Sequence, residues 1–402
     1  MKKQIVIAGS GFAGMWAALS AARAITLAGR NDDVGVTVVS PAPTLVIRPR
    51  LYEATIEGMD PDLLQLFDAT GILHVKGRIT SIDPEAHRLE VVDEHGVPTS
   101  LEYDKFVLAT GSRLFQPPVP GLSEHGFNVD QLEDAKKLQA HLDSLASKPA
   151  SKARNTVVIA GGGFTGIETA AEMPKRLRGI LAGDIDTRVV IVEQAPDIGP
   201  ELGPVPRPVI QEALSECGVE IDTETSDSAI PPHGVTTSDG THIDTHTVVW
   251  TAGARAHPLA GQIPGKRNQY GRVHGDAYLR APDAADIFVT GDVVNAATDD
   301  QGNVAAMSCQ HAMSLGRVAG HNAAAELLDL PLHPYSQPKY VTCLDIGAWG
   351  ALYTEGWDRQ IHLTRNEGKL LKQEITTKWI YPPAPDRDAV FAVANPDFVI
   401  VP

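Results

Sequence analysis

The sequence predicts an α/β fold with two copies of one strand–turn–helix–strand unit, because a β-branched run followed by spaced glycines occurs twice. The first copy reads IVIAGSGFAG at residues 5–14, and the second reads VVIAGGGFTG at residues 157–166. In each copy a helical pattern follows the glycines, and a further β-branched run follows the helix. The separation of about 150 residues is too long for a solenoid repeat, so the copies indicate two domains.

The elements of both units follow the chain in the order of a βαβ motif. The predicted elements are a strand at Gln4–Ala8, a helix at Phe12–Ala28, a strand at Val36–Val39, a strand at Thr156–Ile159, a helix at Ile167–Arg178 and a strand at Arg188–Val192. Two β-hairpins are expected as additions to the main sheets, at residues 88–98 and 235–240, because strand patterns there adjoin turn residues.

Beyond residue 330 the pattern changes and predicts a smaller region. Three antiparallel strands are expected there, at Tyr340–Ile346, Gln360–Thr364 and Lys369–Thr376. The last 22 residues contain five prolines and leave room only for a short helix at Asp386–Ala394. This end differs from an amphipathic membrane-binding helix, so stable membrane docking is not expected.

The spaced glycines have the GxGxxG pattern of a Rossmann turn that holds a dinucleotide. The first glycine permits the tight bend, the second lets the backbone approach a pyrophosphate, and the third lets helix and strand pack closely. An acidic residue at the end of the following strand bonds a ribose hydroxyl. The second unit has Glu193 there, which favours NADH over NADPH, whereas the first unit has Ser40.

Composition and charge narrow the possible partners. The chain is 43% hydrophobic and 21% charged, as folded globular proteins are, and its formal net charge of −16 disfavours nucleic acid. No stretch of about 18 consecutive apolar residues occurs, so membrane contact is at most peripheral. Three cysteines without a CxxC pair predict a reducing, cytoplasmic setting, no metal site and no redox dithiol.

Seven ordered motifs carry a resemblance to a known group of proteins. They are VIAGSGFAG near the start, RPRLYEATIEG at 48–58, FVLATGSR at 106–113, VIAGGGFTGIETAAE at 158–172, VVWTAGARAHP at 248–258, GRVHGDAYLRA at 271–281 and IFVTGDVVNA at 287–296. The chain thereby resembles the pyridine nucleotide-disulfide oxidoreductase superfamily of flavoproteins. Within it, the chain is similar to type II NADH dehydrogenases, or NADH:quinone oxidoreductases, and to their apoptosis-inducing-factor-like relatives.

The resemblance implies that the first unit binds FAD, the second binds NADH, and the NADH domain is inserted in the FAD domain. The expected division is 1–125 and 261–334 for the two parts of the FAD domain, 126–260 for the NADH domain, and 335–402 for a small C-terminal α+β region. The implied cofactor-binding residues are Gly9, Gly11, Gly14, Ser40, Thr110, Gly111, Arg113 and Asp292 for FAD, and Gly161, Gly163, Gly166, Glu193 and Gly253 for NADH.

Three further residues are implied near the reacting rings. Glu168 follows the second glycine turn and either positions flavin and nicotinamide or complements the helix dipole. Gln310 matches the first glutamine of an AQxAxQ motif that lines the quinone pocket of type II enzymes, whereas Ser314 replaces the second glutamine. His311 is either a proton source or, as the stronger expectation, a solvent-facing helix residue.

The electron acceptor is the least specified part of the prediction. Without a redox dithiol, electrons are expected to leave reduced flavin directly for a quinone or a quinone-like aromatic molecule. The aromatic residues Tyr340, Trp349, Trp357 and Trp379 form either a surface for that acceptor or part of the core. The alternatives are a reductase of a ferredoxin- or rubredoxin-type protein and a redox-controlled signalling protein, and a homodimer is possible.

Overall fold

The structure is a computed structural model that describes residues 2–182 and 186–400. Within these residues the helices are α1 (Phe12–Leu27), α2 (Leu64–Thr70), α3 (Leu122–His125), α4 (Leu132–Ser144), α5 (Lys152–Asn155), α6 (Phe164–Ile180), α7 (Arg207–Cys217), α8 (Cys309–Leu327), α9 (Arg365–Glu374) and α10 (Arg387–Val393). The strands are β1 (Lys3–Ala8), β2 (Val34–Ser40), β3 (Leu73–Lys76), β4 (Arg78–Asp83), β5 (Arg88–Val92), β6 (Pro98–Glu102), β7 (Lys105–Leu108), β8 (Ser112–Leu114), β9 (Gly126–Phe127), β10 (Thr156–Ala160), β11 (Arg188–Val192), β12 (Val219–Asp222), β13 (Asp227–Ala229), β14 (Gly234–Thr237), β15 (His242–Asp244), β16 (Thr247–Trp250), β17 (Ala254–Ala256), β18 (Val273–His274), β19 (Arg280–Ala281), β20 (Ala284–Val289), β21 (Val294–Asn295), β22 (Val341–Ile346), β23 (Gly350–Glu355) and β24 (Gln360–Leu363).

The first unit forms a six-stranded sheet in the order β19-β20-β7-β1-β2-β3, in which only the β19–β20 pair is antiparallel. Its central strands are buried apolar runs, as expected when helices cover a parallel sheet. Helix α8 crosses α1 closely at Gly320, where an added Cβ would lie 1.9 Å from the carbonyl oxygen of Ala17. In this sheet β20, which follows the second unit in the chain, pairs with β7, which precedes it.

The second unit forms a five-stranded parallel sheet in the order β12-β11-β10-β16-β9. Helix α6 joins β10 to β11, as α1 joins β1 to β2. The predicted strand–helix–strand order of both units is confirmed. The two predicted hairpins are also confirmed, as β5–β6 and β14–β15, and each belongs to a small three-stranded sheet.

The C-terminal region corrects one prediction. Residues 369–376 are not a strand, because they lie in α9 and in the π-helical turn Ile375–Trp379 that continues it. Leu371 and Ile375 lie one helical turn apart on the packed face of α9, and Gly368 lets α9 approach the backbone of β23. The third strand is instead β23, between β22 and β24.

The chain end contains the short helix that the sequence predicts, α10, with Asp386 as its N-cap. Before it, Trp379 remains 36% exposed at the end of the π-helical turn. Among the residues that the structure describes, none of the helices combines the length and the apolar content that crossing a bilayer requires.

Candidate functional site

The first glycine turn brings bare backbone to the start of α1. Gly9 has φ +101°, and an added Cβ at Gly14 would lie 1.9 Å from the carbonyl oxygen of Gly9. Gly11 is the N-cap of α1 and receives no side-chain cap, and a Cβ added there would meet nothing within 4 Å. The first N–H groups of α1 are therefore available to an anion such as a pyrophosphate.

Polar groups surround this turn at the carboxyl ends of the sheet's strands. The hydroxyl groups of Thr110 and Thr290 are buried without a hydrogen-bond partner in the described part of the chain. Asp292 follows β20 and accepts a hydrogen bond of 2.7 Å from Ser112, and its Oδ2 lies 3.6 Å from Nη1 of Arg48. Ligands of parallel sheets bind at this end, so these groups suit a dinucleotide.

For three other residues of the first unit, the structure gives less support to the predicted role in binding the cofactor. Ser40 ends β2, but its buried hydroxyl already donates to the carbonyl oxygen of Ala42 at 2.6 Å and bonds His74 at 2.9 Å. Gly111 has φ +68° in the turn after β7, where a side chain would be strained. Arg113 lies exposed on β8, and its cofactor role stays a prediction.

The second glycine turn repeats the backbone of the first but is covered by carboxylates. Gly161 has φ +108°, and a Cβ added at Gly166 would lie 1.9 Å from its carbonyl oxygen. A Cβ added at Gly163 would lie 2.8 Å from Oε1 of Glu201, and the same oxygen accepts the N–H of Phe164 at 2.5 Å. Sequence reasoning missed Glu201, because no motif marks it.

Glu193 lies at the end of β11, where the sequence predicts a ribose ligand. Its buried carboxylate accepts the N–H of Gly162 at 2.6 Å and the N–H of Ala195 at 2.8 Å. These contacts fix the carboxylate beside the turn while leaving it lone pairs for further donors. Gly253 lies in the loop after β16 of the same unit and has φ +85°. Its carbonyl oxygen accepts the N–H of Phe115 at 2.7 Å.

Glu168 is a buried member of an ion-pair network that joins α6 to the C-terminal region. Its Oε1 lies 2.7 Å from Nζ of Lys372 on α9 and accepts the N–H of Asp345 at 3.0 Å. Burial raises the pKa of Glu168 to about 7, and Lys372 opposes the shift. Asp345 in turn accepts from Lys369 at 2.6 Å and from Tyr52 at 3.1 Å. Glu168 is therefore more than a helix-dipole complement.

Sequence reasoning did not find Lys372 because it assigned residues 369–376 to a strand. A helical reading of KLLKQEI would have placed a lysine on the buried face of α9. The network also shows why this region packs on α6, because a buried lysine requires a carboxylate partner.

The start of α8 presents an unpaired amide. Ser308 caps the helix by accepting the N–H of His311. Both polar atoms of the Gln310 side chain are buried and have no hydrogen-bond partner within residues 2–182 and 186–400. Burial raises the pKa of the Cys309 thiol to about 11, and this thiol is within electrostatic reach of Lys372 and Asp292. The start of α8, the Glu168 network and Asp292 therefore converge on one region.

His311 does not face solvent, so that expectation is wrong. The side chain is fully buried, and its ring lies 4.8 Å from Tyr340 and 5.9 Å from Trp357. Burial, with the charges of Arg272 and Arg359, lowers the pKa of His311 to about 3. The imidazole is therefore neutral near pH 7 and acts as a hydrogen-bond partner rather than as an imidazolium acid.

The predicted aromatic and cysteine residues occupy different environments. Tyr340 and Trp349 are buried, Trp357 is half-buried and Trp379 is partly exposed. Cys217, Cys309 and Cys343 are free thiols. Burial raises the pKa of Cys343 to about 12, so it and Cys309 are held as thiols rather than as reactive thiolates.

Comparison with known proteins identifies relatives along nearly the whole chain. The sequence profile of the pyridine nucleotide-disulphide oxidoreductase family matches residues 3–316. An NADH dehydrogenase-like protein of Mycobacterium tuberculosis is 44% identical over 383 residues, which are 94% of each chain. A demethylphylloquinone reductase of Synechocystis is 29% identical and covers 87% of this chain and 86% of its own length.

More distant matches include one further sequence relative and one solved structure. A type II NADH:quinone oxidoreductase of Staphylococcus haemolyticus is 24% identical and covers 73% of this chain and 74% of its own length. The solved structure of NDH2 from Plasmodium falciparum in complex with NADH superimposes with a TM-score of 0.78 at 14% identity, over 98% of this chain and 97% of that one. This likeness supports the fold with two dinucleotide-binding domains.

Proposed function

The chain belongs to the pyridine nucleotide-disulphide oxidoreductase family, and from this premise we propose that it passes two electrons from NADH through FAD to a quinone. It is an NADH-dependent flavoprotein oxidoreductase with FAD and NADH as its cofactors. FAD, when bound, supplies the chemistry that takes hydride from NADH and delivers electrons to the acceptor. The residues of the chain bind, orient and shield the reacting groups.

In this proposal the two glycine turns have different cofactors. The FAD turn, Gly9–Gly14, offers free N–H groups to the pyrophosphate of FAD, and Asp292 accepts from the ribityl hydroxyls. The NADH turn, Gly161–Gly166, binds the pyrophosphate of NADH, and Glu193 bonds the adenosine ribose. The unpaired hydroxyl groups of Thr110 and Thr290 support a polar occupant in the first unit.

The observation that carries the quinone assignment is the buried, unpaired amide of Gln310. A buried amide without partners is unfavourable, so a ligand with a carbonyl group would satisfy its N–H. A quinone offers two such carbonyls on a planar ring. The quinone-reducing activities in the names of two relatives support the same acceptor class.

The Glu168–Lys372 pair is suited to hold a proton for this site. Quinone reduction consumes protons, and a carboxyl group whose pKa is about 7 exchanges its proton readily at neutral pH. Lys372 fixes the position of the Glu168 carboxyl, and Asp345 fixes it from the backbone side. We therefore assign Glu168 as the proton-holding residue and Lys372 as its positioning partner.

The test is a two-step spectroscopic titration of the purified protein without oxygen. NADH is expected to bleach the flavin band, and menadione is then expected to restore it at a rate that rises with its concentration. Bleaching without restoration by menadione, followed by restoration with a ferredoxin, would replace the quinone by a protein acceptor. A Gln310→Leu variant should bleach normally and reoxidise more slowly, whereas Gln301→Leu, at an exposed turn, should match the parent protein.

A further inference from the structure

A cluster of cationic and aromatic side chains surrounds the start of α8. We call Arg272, Arg359, His311, Tyr340 and Trp357 the arginine–aromatic cluster. The rings of Tyr340 and Trp357 lie 4.5 Å apart, and the guanidinium carbon of Arg359 lies 4.4 Å from the ring centre of Tyr340. The charges of both arginines act on His311. The cluster therefore adjoins Gln310, the neighbour of His311 in the chain.

The cluster has more hydrogen-bond donors than acceptors. Arg272 and Arg359 are 5% and 8% exposed. The atoms Nε and Nη2 of Arg272, Nη1 of Arg359, Nε1 of Trp357 and Nε2 of His311 are buried, and none has a partner in the described ranges 2–182 and 186–400. Arginine and tryptophan nitrogens only donate, so the missing partners are acceptor oxygens.

The two arginines also lack an ion-pair partner among the described residues. Neither forms an ion pair within the part of the chain that the structure describes, where Arg48 and Lys372, by contrast, have carboxylate partners. The acidic residue whose charge acts on Arg272 is Asp292, but Asp292 is engaged by Ser112 and faces Arg48. Arginine stays charged in proteins, so two buried positive charges lie here without an ion-pair partner among the described residues, and Asp292 acts on Arg272 only from beyond ion-pair distance. Such an arrangement is strongly unfavourable unless an anion joins it.

We propose that the acceptor is an anionic aromatic molecule, a quinone that carries a carboxylate, and that Arg272 and Arg359 bind this carboxylate. The inference rests on the proposed function and names its substrate class. A guanidinium binds a carboxylate through two parallel hydrogen bonds, which would satisfy the unpaired nitrogens. Trp357, which is half-buried beside Tyr340, offers an aromatic ring against which a planar acceptor packs.

An uncharged quinone does not account for the cluster. Its carbonyl groups satisfy Gln310 but leave the charges of Arg272 and Arg359 without an ion-pair partner. Ordered water accepts hydrogen bonds from the guanidinium groups without supplying a negative charge. A carboxylate supplies both the acceptor oxygens and the charge, and it orients the ring relative to Gln310.

The test compares two redox-inert probes of one shape, 2-naphthoate and 2-naphthamide, by calorimetry on the FAD-loaded protein. The parent protein is expected to bind the carboxylate at least about tenfold more tightly than the amide. In Arg272→Gln and in Arg359→Gln the two Kd values should come within about twofold of each other. Arg188→Gln is the matched control, because Arg188 is an exposed arginine that pairs with Glu220 on the second sheet.

The change in Tm on adding ligand keeps the test interpretable if a variant is less stable than the parent protein. A ligand that binds only the folded state raises Tm whatever the starting value. Thus 2-naphthoate should raise the Tm of the parent protein and of Arg188→Gln, but not that of Arg359→Gln. Arg359→Lys, which keeps the charge, should regain part of the shift. A purely structural arginine would lower the starting Tm and leave the shift intact, which would overturn the proposal.

The outcomes separate this inference from the proposed function. Reduction of menadione together with equal binding of 2-naphthoate and 2-naphthamide overturns the anionic acceptor and leaves the quinone reductase standing. Selective binding of 2-naphthoate by a protein whose reduced flavin reacts with no quinone overturns the proposed function, and with it the identity of the ligand as the acceptor. Selective binding together with quinone turnover supports both.

Discussion

The FAD turn and the NADH turn have the same backbone and differ in what faces it. In both, a Cβ on the third glycine, Gly14 or Gly166, would lie 1.9 Å from a carbonyl oxygen of the turn. At the second glycine the two diverge, since Gly11 meets nothing within 4 Å and Gly163 meets the carboxylate of Glu201. One helix start is open, and the other is already capped by an anion.

This difference fits a resident cofactor in one unit and an exchanging cofactor in the other. A turn whose cofactor stays bound has no need of an internal substitute for the pyrophosphate. A turn that NADH enters and leaves exposes its helix N–H groups in every cycle, and a carboxylate satisfies them in the interval. On the proposed assignment, NADH displaces that carboxylate, which weakens binding and favours release.

The largest expected effects come from adding one methyl group to the third glycine of each turn, where it would clash with the backbone of that turn. Gly14→Ala should yield protein without the yellow flavin, because the methyl group collides with the backbone of the FAD turn. Gly166→Ala should keep its flavin, but reduction by NADH should slow by about 100-fold or more, since a shift of about 1 Å in a bound cofactor costs that much. Flavin absorbance per mole of protein and stopped-flow bleaching measure the two effects.

The same two variants can also contradict the assignment of FAD to the first unit and NADH to the second. Loss of flavin from Gly166→Ala, with flavin kept in Gly14→Ala, would reverse the assignment of the two units. Circular dichroism of both variants checks that each retains its helices, so that a missing flavin reports on the turn rather than on unfolding.

The second contrast concerns the residues that follow the two turns at the strand ends. Glu193→Ala should raise the Kd for NADH by about tenfold, because hydrogen bonds to a charged group contribute about 1.5–3 kcal/mol. Ser40→Ala should barely change the flavin content, because the Ser40 hydroxyl is already bonded to Ala42 and His74. Flavin lost from Glu193→Ala, or an unchanged Kd, would contradict this division of roles.

Much of this fold was predictable because its signals are local. Spaced glycines after a β-branched run define each turn, and the period of the following apolar residues defines α1 and α6. Lys369–Thr376 was misassigned because LLKQEIT suits a strand as well as a helix when seen alone. The packing of Gly368 against β23 decides for the helix, and that contact joins residues of different elements.

The candidate site was predictable only where a motif marks it. Glu193 follows from its position after a strand, and Gln310 follows from the resemblance to the AQxAxQ motif of type II enzymes. The other site residues come from separate segments, and only the folded chain brings them together. Lys372 meets Glu168, and Glu201 meets the N–H of Phe164. The charges of Arg272 and Arg359 act on His311. The burial of His311 was missed for the same reason, because Tyr340 and Trp357 that cover it lie outside its own helix.

An intermediate effect is expected in the pH dependence of flavin reoxidation. The titrating group is Glu168, which lies where the second unit meets the C-terminal region. Burial raises the pKa of Glu168 to about 7, so this carboxyl holds its proton below that pH and loses it above. Flavin reoxidation by menadione should therefore slow as the pH rises through about 7, by up to about tenfold per unit. Glu168→Gln cannot titrate, so its profile should be flat between pH 6 and 8.

The matched control for this profile lies on α9, the helix that carries Lys372. Glu374→Gln removes an exposed carboxylate at the end of that helix and should keep the inflection. An inflection that persists in Glu168→Gln, or one that disappears in Glu374→Gln, would assign the titration to another group.

The smallest expected effect tests the cap itself. Glu201→Gln should lower the Kd for ADP-ribose by about twofold to fivefold, because a neutral amide caps α6 less strongly than a carboxylate by about 0.3–1 kcal/mol and repels the pyrophosphate less. Binding of adenosine, which lacks the pyrophosphate, should not change. Glu133→Gln removes one exposed negative charge from α4 and should leave both Kd values unaltered. If it tightens ADP-ribose equally, the effect is general electrostatics, and the NADH turn is no more capped than the FAD turn.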